Sequence, residues 1–108
     1  MDKEQALSIA EKYAEKVAKE FKPKQILLFG SYLYGTPNEY SDIDIAVIFD
    51  EYNGPGSWWD GAARMQAIRR EINDTDIEPH LMELNHDYSG FAHHIQKIGK
   101  ILYPQNIT

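Results

Sequence analysis

A chain of 108 residues is expected to form one domain, spanning 1–108 with no second substrate domain, and its 43% hydrophobic and 26% charged residues suit a packed core rather than disorder. Eleven basic against seventeen acidic residues leave a net charge of -6, which argues against a general binder of nucleic-acid backbones. Cysteine is absent, which excludes disulfides, thiolate zinc sites and cysteine nucleophiles and makes a reducing cytoplasm the expected location. No run approaches the roughly 20 apolar residues of a membrane span, and the charged, amphipathic opening residues are unlike a signal peptide.

From Asp2 to Phe21, the residues Leu7, Ala10, Ala14, Val17 and Phe21 recur at three- or four-residue intervals. This predicts an amphipathic helix with Asp2 as N-cap and Gln5 closing a capping box. Lys22 and Pro23 end it, and the apolar run Ile26–Phe29, too short for a helix, reads as a buried first strand. Gly30 permits a sharp turn, Ser31 is placed to cap a short helical turn through Tyr34, and Gly35–Asn38 read as loop. In Asp42–Phe49, Ile43, Ile45 and Val47 alternate with Asp42, Asp44 and Ala46. The alternation predicts a second strand with one face in the core and two carboxylates on the other.

Asp50–Gly56 are turn-rich, and Ser57 with Asp60 forms a capping-box pattern opening a helix to Ile72, with Ala63, Ala67, Ile68 and Ile72 as its apolar side. A third strand is read at Thr75–Met82, pushed to a sheet edge by Pro79. The last helix is expected over Asp87–Ile98, burying Phe91, Ile95 and Ile98 and stopped by Gly99, with a short strand at Ile101–Tyr103 after it. Alternating helices and strands predict a compact α/β domain.

Between Glu39 and Asp87 there are twelve Asp and Glu against only Arg64, Arg69 and Arg70, a concentration of negative charge suited to cations. Asp42 and Asp44, two positions apart on one strand, project together with Cα atoms about 7 Å apart. At an effective dielectric near 20 their charges repel by roughly 2 kcal/mol, and a divalent cation between them turns repulsion into attraction. All-oxygen ligands favour magnesium or manganese. Gly30-Ser31, at a strand-to-helix turn, offers backbone amides and a hydroxyl to phosphate oxygens. A triphosphate needs such adjoining anion and cation sites, and Glu78 on a neighbouring strand could complete the carboxylate set. Singly these features are ordinary, since Asp-x-Asp on a strand is more often a solvated sheet face and Gly-Ser turns are common. A calcium loop fails because Ala46 fills the next ligand position among strand-forming residues.

Gly30-Ser31, ten intervening residues and Asp42-Ile43-Asp44 resemble the glycine-serine and paired-aspartate signature of the DNA polymerase β-like nucleotidyltransferase superfamily. The segment LLFGSYLYGTPNEYSDIDIAV, from Leu27 to Val47, is similar to its minimal nucleotidyltransferase (MNT) branch, as is Ile77-Glu78-Pro79-His80 to that branch's third-carboxylate strand. The resemblance implies a single-domain nucleotidyltransferase fold, a mixed sheet of three to four strands with helices packed on it. It also implies two magnesium ions, ATP or another nucleoside triphosphate as donor, and transfer of a nucleotide monophosphate to a hydroxyl with release of pyrophosphate. By position, Asp42 and Asp44 would ligate the metals, Gly30 and Ser31 would hold the β and γ phosphates, and Glu78 would ligate the catalytic metal and help deprotonate the acceptor. Asp76 competes with Glu78 for the third place, and His80 shares their strand face. Many MNT proteins are antitoxins paired with a helical HEPN toxin, and some attach AMP to a tyrosine of it. The larger relatives' extra helical domain is not in this sequence, which suggests an acceptor arriving on a partner.

Three functional readings therefore stand: an AMP-transferring antitoxin, a non-catalytic antitoxin that neutralises its partner by covering a surface, and transfer to a drug, metabolite or nucleic-acid end. Trp58 and Trp59, beside Gly54, Pro55 and Gly56, suit a base-stacking platform, a partner contact or core packing. His86, His93 and His94 lack the spacing of a zinc site, and the three arginines read as helix surface before phosphate contact. Tyr32 and Tyr34 read as core or loop packing.

Overall fold

The computed structural model describes residues 2–38, 41–72 and 76–105. Helix α1 (Lys3–Phe21) opens on the expected capping box: the Asp2 carboxylate accepts from the Gln5 amide at 2.8 Å, and the Gln5 side chain accepts from the Asp2 amide at 2.9 Å. Lys22, left-handed at φ 50, closes it. Strand β1 (Gln25–Phe29), the single helical turn α2 (Ser31–Tyr34), strand β2 (Ile43–Phe49) and helix α3 (Trp58–Glu71) follow. Strand β3 (Ile77–Glu83), a 3-10 turn at Leu84–His86, helix α4 (Phe91–Ile98) and strand β4 (Lys100–Tyr103) complete the order.

The strands form one mixed sheet in the order β3-β2-β1-β4, with β1 antiparallel to β2 and β4, and β2 parallel to β3. Pro79 therefore lies on an edge strand, as its missing amide hydrogen requires. One sheet face buries Ile26, Leu28, Ile43, Ile45 and Val47 against α1 and α3. A buried hydrogen bond of 2.7 Å from the Tyr13 hydroxyl to the Met65 carbonyl ties those two helices together. The other face packs Leu27, Phe29, Ala46 and Ile48 against Ile95 of α4.

Several expected details change. The polar face of β2 ends at Asp44, because α4 covers Ala46 and Ile48 and leaves both fully buried. Helix α4 starts at Phe91, and it buries Ala92 and Ile95 while Phe91 and Ile98 stay exposed. Ahead of it, the Asp87 carboxylate accepts from the amides of Ala92 and His93, both at 3.0 Å. In α3 the buried stripe is Gly61, Met65 and Ile68, and Ala63 faces outward. Gly30, not Ser31, is the N-cap of α2, and no side chain caps that turn. The expected start of the third strand at Thr75 lies outside the described residues.

Candidate active site

Sheet register assembles the site. Phe29 at the end of β1 pairs with Asp44 near the start of β2, and Asp44 pairs with Glu78 near the start of β3. Three chain segments thus place the Gly30-Ser31 turn, Asp44 and Glu78 side by side at one end of the sheet. The parallel β2–β3 pairing also puts Glu78 and Asp44 on one face, because paired residues in a ladder point the same way.

Asp44, Glu78 and His80 each bring a ligand atom within 4.8 Å of the others. Asp42, exposed one residue before β2, reaches the same cluster through a hydrogen bond between its carboxylate and the Glu78 carboxyl. Glu78 binds its proton more tightly than an ordinary glutamate, first because of partial burial, then because its protonated form donates to Asp42, with the nearby charges of Asp44 and Asp42 adding to the effect and His80 opposing it. Asp76, the competing third carboxylate, sits just before β3, where its backbone carbonyl accepts the Ile43 amide at 2.8 Å.

His80, which the sequence placed only on the strand face of Asp76 and Glu78, joins the cluster. Its Nε2 lies 3.3 Å from an Asp44 carboxylate oxygen, and its ring packs on Phe29 with centroids 5.3 Å apart. Its position two residues after Glu78 was the available signal, since alternate strand residues share a face.

Gly30 has φ 83 and ψ -160, backbone that only glycine adopts readily, and a Cβ there would run into the Asp44 carboxylate. The glycine thus supplies both the sharp exit from β1 and the close approach of that turn to the aspartate. Its amide donates to the Tyr34 hydroxyl at 3.3 Å, and Ser31 follows as the half-buried first residue of α2. Gly30, Asp44 and Glu78 are therefore brought together, Asp42 adjoins Glu78 outside the group whose ligand atoms all fall within 4.8 Å, and Ser31 follows Gly30 in the chain.

Two of the three arginines are engaged elsewhere: Arg64 bridges Glu20 and Glu71, at 3.0 and 3.1 Å from its Nη2, and Arg69 donates to the Ile77 carbonyl at 3.2 Å. His86 pairs with Glu51 at 3.1 Å and His93 with Asp87 at 2.7 Å. Tyr32 is buried in the core and Tyr34 is exposed.

A crowded set of carboxylate oxygens in which one member has a raised proton affinity fits a hard divalent cation, magnesium or manganese, better than it fits bare water. Asp42, Asp44 and Glu78 are the residues that could hold it, beside a turn that could receive phosphate.

A family model described as Polymerase beta, Nucleotidyltransferase matches residues 11–108, and the chain belongs to that nucleotidyltransferase family. A stretch of 47 residues is 49% identical to a putative protein adenylyltransferase of Methanocaldococcus jannaschii, covering 44% of this chain and 47% of the relative. The match thus spans about half the length of that curated relative, where the relative's 47% coverage is counted. A crystal structure of a toxin-antitoxin with AMP-PNP is similar at a TM-score of 0.58 and 26% identity, over 89% of this chain and 74% of the other. A crystal structure of the toxin-antitoxin MntA-HepT matches at a TM-score of 0.54 and 22% identity, over 91% and 73%, and shares the fold. The family and the mixed α/β fold expected from the glycine-serine and paired-aspartate signature are those found.

Proposed function

We propose that this chain is a magnesium-dependent adenylyltransferase that works as an antitoxin, moving AMP from ATP to a hydroxyl of a partner protein, a tyrosine of a HEPN-type toxin. The observation that carries the reading is the convergence of Asp42, Asp44 and Glu78 beside the Gly30-Ser31 turn. Similarity to a putative protein adenylyltransferase and to a toxin-antitoxin with AMP-PNP supports the donor and the setting.

Asp42, Asp44 and Glu78 would hold two magnesium ions, whose chemistry when bound is to neutralise triphosphate charge and polarise the reacting oxygens. Gly30 and Ser31 bind the β and γ phosphates through backbone amides and the serine hydroxyl, which orients the α-phosphorus towards the far side of the cluster. The acceptor oxygen attacks that phosphorus in line, the bond to the α–β bridging oxygen breaks, and pyrophosphate leaves. The hydroxyl proton passes to a Glu78 carboxylate oxygen. Positioning and charge stabilisation supply the catalysis, with no covalent enzyme intermediate.

The test is incubation of the chain, magnesium and α-labelled ATP with its HEPN partner. Label on a partner tyrosine with wild type and none with Asp44→Asn is expected, and equal labelling by both, or none by either, would refute the reading. Neutralisation by surface covering alone is the second reading, favoured by the 77% exposure of Trp59 and the acidic surface, and toxin silencing that survives joint Asp42→Asn and Asp44→Asn substitution would establish it.

A further inference from the structure

The free edge of β3 is flanked by an open cleft with α3 on one side and α4 on the other. It comprises two adjoining hollows of 580 and 300 Å³ that share Trp58, Leu81, Met82 and Phe91. The larger one reaches His80, whose imidazole also contacts Asp44, so the cleft runs into the carboxylate cluster. The larger hollow is mostly apolar and partly bare: Trp59 is 77% and Phe91, shared with the smaller one, 46% exposed.

The strand edge defines what fits. The Asp76 carbonyl accepts from β2, so in a parallel ladder Glu78, His80 and Met82 also turn their backbone groups towards β2. Ile77, Pro79, Leu81 and Glu83 turn theirs outward, and the Ile77 carbonyl meets Arg69 there. Leu81 thus presents an amide and a carbonyl, and Pro79 a carbonyl, to the cleft. An extended polypeptide can pair with such an edge, whereas a nucleotide base has no matching repeat.

Charge and order across the sheet choose the same occupant. Among the described residues, the lining holds no lysine or arginine; its Glu83 accepts the Tyr52 amide and its Asp87 the Ala92 and His93 amides, so the acidic side chains left to meet a basic segment are Glu78 and Asp44 at the inner end. The phosphate turn follows β1, Asp44 lies on β2 and Glu78 on β3, so a donor at Gly30 leaves the β3 side for the acceptor. We propose that this cleft docks an extended segment of the acceptor polypeptide, basic and apolar at alternating positions, which pairs with the outer edge of β3 and delivers its hydroxyl to Glu78. The delivery rests on the transfer reading above; the docking does not.

Trp58 and Trp59 are the protein's two tryptophans, so their emission reports occupancy without any turnover. The probe is a seven-residue peptide alternating lysine with leucine around a central tyrosine, compared with versions carrying serine for leucine or glutamate for lysine. A saturable emission change is expected, at least tenfold weaker in affinity for either comparison peptide. Ala63→Arg, at an outward-facing position of the cleft wall, is expected to weaken the first peptide at least fivefold while calorimetry shows ATP binding unchanged. Equal affinity for the three peptides, indifference to Ala63→Arg, or competitive displacement of peptide by ATP would overturn the proposal. Wild type itself separates the two claims: failed transfer with intact peptide binding removes the enzymatic reading and leaves the docking surface standing.

Discussion

Replacing Gly30 by alanine tests the phosphate turn and the aspartate together. At φ 83 and ψ -160 an alanine sits in backbone space held almost solely by glycine, at a cost of about 1–3 kcal/mol. The added methyl also runs into the Asp44 carboxylate, which must move. Gly90 is the control, because its φ of 77 is also left-handed but a Cβ there meets nothing within 4 Å. Taking about 2 kcal/mol for Gly30→Ala and about 1 kcal/mol for Gly90→Ala, at roughly 4 °C of melting temperature per kcal/mol for a domain of this size, the variants should melt about 8 and 4 °C below wild type. On the proposed reading, misplacing the Asp44 carboxylate by about 1 Å costs on the order of 100-fold in transfer, whereas Gly90→Ala should transfer normally. Thermal melts followed by circular dichroism, with label transfer measured below both melting points, give the two readouts. Equal melting of the two variants together with wild-type transfer by Gly30→Ala would refute the reasoning.

The raised proton affinity of Glu78 predicts a pH-dependent cost in the metal-free protein. Its folded pKa lies above the ordinary 4.5, so its contribution to stability is full below that value and fades as pH rises through the folded pKa. In chelator, Glu78→Gln should therefore gain melting temperature over wild type as pH rises from 4 to 8, and a constant gap would contradict the crowding of carboxylates. Tyr13→Phe removes the fully buried hydrogen bond to the Met65 carbonyl and should lower unfolding free energy by about 1–2 kcal/mol in urea melts, with transfer unchanged.

Local chemistry made much of this molecule legible in its sequence. The two capping boxes, at Asp2–Gln5 and Ser57–Asp60, and the left-handed Gly30 turn depend on near neighbours in the chain, and the folded structure keeps them. The spacing of Asp42 and Asp44 needed only the period of a strand. What depended on distant packing was harder to read. Alternation puts Ala46 on the face of Asp42 and Asp44, and only the arrival of α4, more than forty residues later, explains why Ala46 and Ile48 are dry. The same helix keeps Ile95 inward as expected but buries Ala92 in place of Phe91 and Ile98. His80 joins the site through the register of β3 against β2, a pairing that a single strand's sequence does not encode.

The central claim is that oxygens of Asp42, Asp44 and Glu78 hold hard cations next to a turn that grips triphosphate. Anomalous diffraction from crystals grown with manganese and AMP-PNP tests it most directly. Manganese peaks bounded by those three carboxylates, with the terminal phosphates on Gly30 and Ser31, are the predicted result. Manganese found only elsewhere, such as at the His86–Glu51 pair, with the nucleotide away from Gly30, would contradict it.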